Sequence, residues 1–225
     1  MTELITMHTH STFCNHAKDP LDDMVQAAVD AGIAHMAATE HYPIPDELDP
    51  SKRSTMPIER LGAYIEAVRK QQKRDDIDVL LGCELDWLGE DETRTLHASD
   101  FDQFDIVLGS VHFVDRWLMV SHKHVSRWKS IDLEAFWNRY VELWCQAVKS
   151  DMSFTVMSHA DVVKKFSPKP EFDLEPLYER MAKAAREGGR MIEVNTSGAY
   201  AECAEYYPSP SLLQAFCAEG VACTV

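Results

Sequence analysis

Leu4-Ile5-Thr6-Met7-His8-Thr9-His10 is a short apolar run that closes on two histidines spaced two apart. In an extended strand alternate residues share a face, so His8 and His10 can offer both imidazoles to one metal while Met7 and Thr9 turn the other way. The same pattern recurs along the chain. Strand-like runs at 33–41, 77–85, 104–113, 154–161 and 190–195 also carry histidine, carboxylate or amide side chains at or next to their ends, and a seventh run occupies 221–225. Most are rich in Val, Ile and Leu without clean alternation, as expected of strands covered on both faces.

Stretches of helical period separate these runs. Asp19 before Pro20 reads as an N-cap with proline in the first turn. Leu21, Met24, Val25, Ala28 and Val29 then form an apolar stripe that stops at Gly32. Segments 57–74, 132–150, 173–187 and 209–219 read as further helices, while 42–56 and 115–131 read as long loops. The alternation predicts an α/β protein built of βα units. With no internal repeat or obvious linker, residues 1–225 read as a single domain.

The chain has 225 residues and a formal net charge of -15. That charge argues against long nucleic acid or an anionic membrane surface as partner, since both favour basic faces. Six scattered cysteines with no C-x-x-C pair suggest a reducing compartment. No apolar run approaches the roughly 18 residues needed to span a bilayer, and no secretory leader is evident, so the expectation is a cytoplasmic protein.

If each run is a strand of a barrel, its C-terminal end faces the mouth where such folds place their chemistry. The polar residues at those ends are His8, His10, Glu40, His41, Glu84, His112, His159, Glu193 and Asn195. Imidazole and carboxylate together suit zinc, iron or manganese, and Glu84 could bridge two ions through its two oxygens. Two ions roughly 3.5–4 Å apart can activate water and clamp the attacking and leaving oxygens of a displacement at phosphorus. Arg116, Arg127, Lys164 and Lys165 are candidates to grip a phosphate. His122 and His124 repeat the His-x-His spacing but lie in a cationic loop, where exposure or substrate contact is expected ahead of metal. Trp137 and Trp144, seven apart, read as packing. Ser11 and Ser110 lack the elbow motif of a serine hydrolase.

The motifs His8-Thr9-His10, Thr39-Glu40-His41, Gly82-Cys83-Glu84, Gly109-Ser110-Val111-His112, Ser158-His159-Ala160-Asp161 and Glu193-Val194-Asn195-Thr196-Ser197-Gly198 occur in a telling order. They resemble the polymerase-and-histidinol-phosphatase (PHP) superfamily over nearly the whole chain. Phe13-Cys14-Asn15-His16, residues 109–113 and residues 193–198 are most similar to its histidinol-phosphate phosphatase branch.

The resemblance implies a distorted (β/α)7 TIM-like barrel with two to three divalent transition metal ions, Zn, Fe or Mn. It implies His8, His10 and Glu84 on one ion, Glu84, His112 and His159 on a second, and His16 and His41 on a third. Glu84, His112 and His159 would be catalytic. Glu40 would orient a ligand, and His16 could also be a plain loop histidine. Arg116, Lys164, Glu193 and Asn195 are substrate-binding candidates, although Glu193 and Asn195 could equally bond loop backbone.

The implied activity is hydrolysis of L-histidinol phosphate in histidine biosynthesis. The alternatives are another phosphoesterase of the superfamily acting on a nucleotide or sugar phosphate, or a catalytically weak barrel serving as a binding module. Two departures from the family pattern stand out. Thr6 occupies the place of an Asp, and no Gly-Ser-Asp-x-His motif follows residues 221–225. The expectation from the second is a barrel lacking its C-terminal end, an N-terminal fragment with impaired metal binding and weak turnover.

Overall fold

A computed structural model describes residues 3–44, 55–90 and 98–225, so residues 45–54 of the loop expected at 42–56 lie outside the described part. The chain divides into two compact units, one of residues 1–85, 99–108 and 225 and the other of residues 86–98 and 109–224.

The first unit begins with β1 (Leu4–Thr6), α1 (Leu21–Asp30), β2 (Ile33–Ala38), α2 (Leu61–Gln71) and β3 (Asp78–Asp86). β1 pairs with β2 and β2 with β3, both parallel, and β4 (Ile106–Ser110) follows β3 in the sheet. α1 starts at Leu21 rather than directly after Asp19. Pro20 takes the capping position with extended backbone, and no side chain caps the helix. The Asp19 carbonyl instead accepts the Thr12 N–H at 3.0 Å. Gly32 ends the turn after α1 with φ of 73°, a left-handed conformation that costs a residue without Cβ little.

The apolar stripes of the two helices close on the sheet. Leu21, Val25 and Ala28 of α1 and Tyr64 and Val68 of α2 share one cluster with Met36, Ala38, Val79 and Leu81. The Tyr64 hydroxyl, fully buried, lies 2.6 Å from the Ala38 carbonyl and 2.7 Å from that of Gly82, which ties α2 to the end of β2 and the middle of β3.

β1 is shorter than the run 4–10 suggested, and His8 and His10 lie beyond its last residue. Side-chain bonds take over from the ladder there. The Thr9 N–H donates to Thr39 Oγ1 at 2.9 Å and the Thr9 hydroxyl to the Ala37 carbonyl at 2.7 Å. Polar side chains that bond backbone in this way compete with regular pairing, yet they hold the segment against the end of β2.

The second unit takes the end of β4 and then β5 (Phe113–Val114), β6 (Trp117–Leu118), α3 (Leu133–Lys149), β7 (Val156–Met157), α4 (Glu175–Gly188), β8 (Met191–Glu193), α5 (Pro210–Ala218) and β9 (Cys223–Thr224). The sheet order here is β4-β7-β8-β9, with β7–β8 and β8–β9 parallel. The segment expected as a loop at 115–131 contains structure. β5 and β6 form an antiparallel hairpin whose turn residues Asp115 and Arg116 have φ of 47° and 62°, and a 3-10 stretch covers His122–Ser130. Left-handed backbone at both central residues suits the twist of a two-residue hairpin.

Asp132 caps α3 by accepting the Ala135 N–H at 3.0 Å, and Ser209 caps α5 by accepting that of Leu212. Trp137 and Trp144 are fully buried along with Tyr140, Val141 and Val148, the i, i+3, i+4, i+7 face of α3. Among the described residues no helix is long and apolar enough to cross a membrane.

All seven predicted strands are present, most of them shorter than their apolar runs. Gly82 on β3 shows how tightly the first unit is packed. A Cβ there would sit 2.6 Å from Ile106 Cγ2, 2.7 Å from Thr39 Cγ2 and 3.0 Å from the Ala38 carbonyl oxygen. Gly82→Ala is therefore expected to lose about 1–3 kcal/mol of stability, seen as a lower midpoint in urea unfolding.

Candidate metal sites

In the first unit the site is gathered by the carboxylate of Glu84, which is 1% exposed. Its Oε2 lies 3.2 Å from His8 Nε2, 3.1 Å from His10 Nε2 and 3.1 Å from His41 Nδ1. The Nε2 atoms of His8 and His10 are themselves 3.0 Å apart. Backbone bonds set this up, since the Glu84 N–H donates to the Glu40 carbonyl at 2.9 Å and the Tyr42 N–H to the Glu84 carbonyl at 2.7 Å. Glu84 is thereby held in a parallel bridge beside His41.

His10 stacks on His41, with ring centroids 4.6 Å apart, and His16 lies 5.0 Å from His10 and 5.1 Å from His41 by the same measure. One ligand atom from each of His10, His16 and His41 falls within 4.8 Å of the others, although the His16 side chain is exposed. The follow-on loop thus brings His16 to the cluster.

Glu40 has its oxygens turned to the loop. Oε1 accepts the Ser11 N–H at 2.7 Å and the Ser11 hydroxyl at 2.5 Å, and Oε2 accepts the Cys14 N–H at 3.2 Å. It stands 4.0 Å from His10 Nδ1. Glu40 therefore shapes the turn that carries His10 and His16. Burial, then the neighbouring Glu40 charge, push the Cys14 thiol well above the ordinary cysteine range.

In the second unit His112 and His159 face each other, Nε2 to Nε2, at 3.2 Å. Asp86, 1% exposed, takes the other nitrogen of His112, with Oδ1 2.7 Å from Nδ1. A carboxylate on Nδ1 fixes the tautomer that leaves the Nε2 lone pair outward, the arrangement seen behind metal-binding histidines. His159 has φ of 23°, a left-handed backbone held in place because its N–H donates to Glu193 Oε2 at 2.8 Å. Asn195 donates to Glu193 Oε1 at 2.9 Å and accepts the Ser197 N–H and hydroxyl. Glu193 and Asn195 thus bond loop backbone, one of the two roles that the sequence left open.

Lys164, expected at a phosphate, is instead 8% exposed and donates to Asp161 Oδ2 at 2.9 Å, Glu205 Oε2 at 3.1 Å and the Tyr206 carbonyl at 2.8 Å. An ammonium has three donors, and these partners match that number. Its position next to the fully buried Asp161 explains the use. Burial raises the Asp161 pKa, and the Lys164 charge opposes that rise. Arg116 is exposed in the hairpin turn. His122 packs on Phe166, with centroids 4.5 Å apart, and His122 and His124 are both exposed.

Sequence reading missed Asp86 and Cys14. Asp86 had a signal, because it stands two residues after Glu84 on one strand, the spacing used for His8 and His10. Cys14 stands in the Phe13-Cys14-Asn15-His16 follow-on, but that motif gives its thiol no role.

Both donor sets fit a cation. Each brings imidazole nitrogens within 3.0–3.2 Å of one another, where neutral rings can share at most one proton per pair and the remaining lone pairs converge. In the first set a buried carboxylate supplies the charge. Nitrogen and oxygen donors of this kind suit zinc, iron or manganese.

Residues 6–197 match the family model of the PHP domain. The chain belongs to the PHP domain family. A Deinococcus radiodurans protein named "Probable histidinol-phosphatase" is 31% identical over 98% of this chain and 84% of its own length. A Schizosaccharomyces pombe protein of the same name is 24% identical, with 98% and 78% covered. Among solved structures, a candidate histidinol phosphatase from Listeria monocytogenes superposes with a TM-score of 0.84 at 20% identity, covering 98% of this chain and 93% of its own. The histidinol phosphate phosphatase of Lactococcus lactis, complexed with zinc, L-histidinol and phosphate, gives 0.74 at 17%, covering 99% and 85%. This PHP domain thus has the α/β, TIM-like (β/α)7 fold class expected from its motifs.

Glu40 offers a direct check on how the His10 loop is held. Glu40→Ala removes the acceptor of three buried donors and is expected to cost about 3 kcal/mol or more, measured by chemical denaturation of the metal-free protein.

Proposed function

We propose that this PHP domain is a metal-dependent phosphomonoesterase that hydrolyses L-histidinol phosphate to L-histidinol and phosphate, as a cytoplasmic step of histidine biosynthesis. The observation that carries this reading is the convergence of His8, His10 and His41 on one oxygen of the buried Glu84. Family membership and the 31% identical relative support the reaction class.

His8, His10 and Glu84 would hold one divalent ion of zinc, iron or manganese, and His16 and His41 another. His112 and His159 would serve with Glu84 as the catalytic ligands, as the motif order of the family implies. Bound ions of this kind supply Lewis acidity and lower the pKa of water to near neutrality.

The chain's own groups have distinct tasks. Glu84 contributes a buried negative charge that favours a cation over a proton-rich cluster of imidazoles. Asp86 keeps the Nε2 lone pair of His112 outward. Glu193 holds the strained backbone of His159. Arg116, exposed on its hairpin turn, would be a cationic contact for the phosphate. With a formal charge of -15, the chain needs such local positive centres to admit an anionic substrate.

Stripping metal with a chelator is expected to abolish phosphate release from L-histidinol phosphate, and adding back zinc or manganese to restore it. A panel of nucleotide and sugar phosphates tests the substrate, and preference for one of those would replace histidinol phosphate in this reading. Asp86→Asn keeps the size of the side chain but loses the charge behind His112. It is expected to weaken metal binding or activity about 10–100-fold while the fold, followed by circular dichroism, is unchanged.

A further inference from the structure

Outside the ligands themselves, Cys14 touches two residues of the first donor set, His10 and His41. It is 2% exposed, and its Sγ lies 3.7 Å from His10 Nδ1 and accepts the His41 main-chain N–H at 3.0 Å. Its own N–H is anchored on Glu40 Oε2. Ligand atoms of His10, Cys14 and Glu40 lie within 4.8 Å of one another.

Resting on the metal-dependent reading above, we propose that Cys14 is a positioning residue whose thiol holds the rear nitrogen of His10 and the main chain of His41. It thereby sets the direction in which both rings present nitrogen to the cation.

A neutral imidazole carries one hydrogen. If Nδ1 of His10 donates it to sulfur, Nε2 is left with a lone pair on the side where His8 and Glu84 stand, 3.0 and 3.1 Å away. The carboxylate of Glu40 is farther from Nδ1, at 4.0 Å, and its oxygens already accept three bonds from Ser11 and Cys14. Sulfur is therefore the nearer partner. The second contact acts on the chain, because the His41 N–H fixed on Sγ belongs to the same residue whose ring stacks on His10. One atom thus contacts the His10 ring and the main chain that carries the His41 ring. The arrangement differs from direct ligation by sulfur, which would require a thiolate and would place Sγ among the coordinating atoms.

The test compares the wild type with Cys14→Ala and Cys14→Ser by zinc titration against a chromophoric chelator, together with the absorption spectrum of the cobalt-substituted proteins. The expected result is about 10–100-fold weaker binding of one zinc equivalent in Cys14→Ala. Cys14→Ser, which keeps a donor and acceptor, should recover most of it, and the wild type should show no sulfur-to-cobalt charge-transfer band. Equal zinc affinity in wild type and Cys14→Ala would overturn the proposal, as would equal loss in both variants. A charge-transfer band that disappears in Cys14→Ala would replace positioning by ligation. A wild type that binds no zinc, cobalt or manganese would instead overturn the metal reading on which this one stands. Urea unfolding of the three metal-free proteins separates a loss of affinity from a loss of folded protein.

Discussion

A carboxylate buried to 1% exposure, as Glu84 is, must find compensation for the water it has lost. In the first unit that requirement organises everything near the site. Three imidazoles stand within 3.2 Å of one oxygen, and no side chain of fixed positive charge is needed to account for them. A cluster of this composition is poor as a salt bridge, since the rings would have to be protonated side by side. It is good as a cation site, where the same lone pairs and the same negative charge act together.

The surrounding scaffold serves to hold this arrangement. Tyr64 ties α2 to the end of β2 and the middle of β3, Glu40 shapes the loop that carries His10 and His16, and Thr9 secures the segment after β1 by side-chain bonds. In the second unit a parallel logic applies with different parts. Asp86 sets the tautomer of His112, and Glu193 fixes the left-handed backbone at His159. In both units most of the histidine donors stand just past strand ends, where side-chain bonds help to set the chain, while Glu84 is held within β3 by ladder bonds.

Much of this was legible beforehand because its signals are periodic and local. Val- and Ile-rich runs alternating with 3.6-residue stripes announced the βα order, and His8-x-His10 announced a shared face. What escaped was what depends on partners remote in sequence. Asp132 and Ser209 cap helices as local rules predict, but Lys164 pairs with Glu205 across 41 residues and so is spent on an ion pair that no motif marks. The hairpin of β5 and β6 was hidden because Asp115 and Arg116 adopt left-handed backbone without the glycine that usually signals it.

The sequence by itself determined the strand and helix order, the family, and the histidines and glutamates available to a cation, since these follow from residue type and spacing. Only the tertiary structure decided which carboxylate does what. Glu84 turns its oxygen to the imidazoles, Glu40 turns both of its oxygens to the Ser11–Cys14 loop, and Asp86 backs His112. The physical reason is that a carboxylate's role is set by the donors that surround it, and those donors come from segments that meet only on folding.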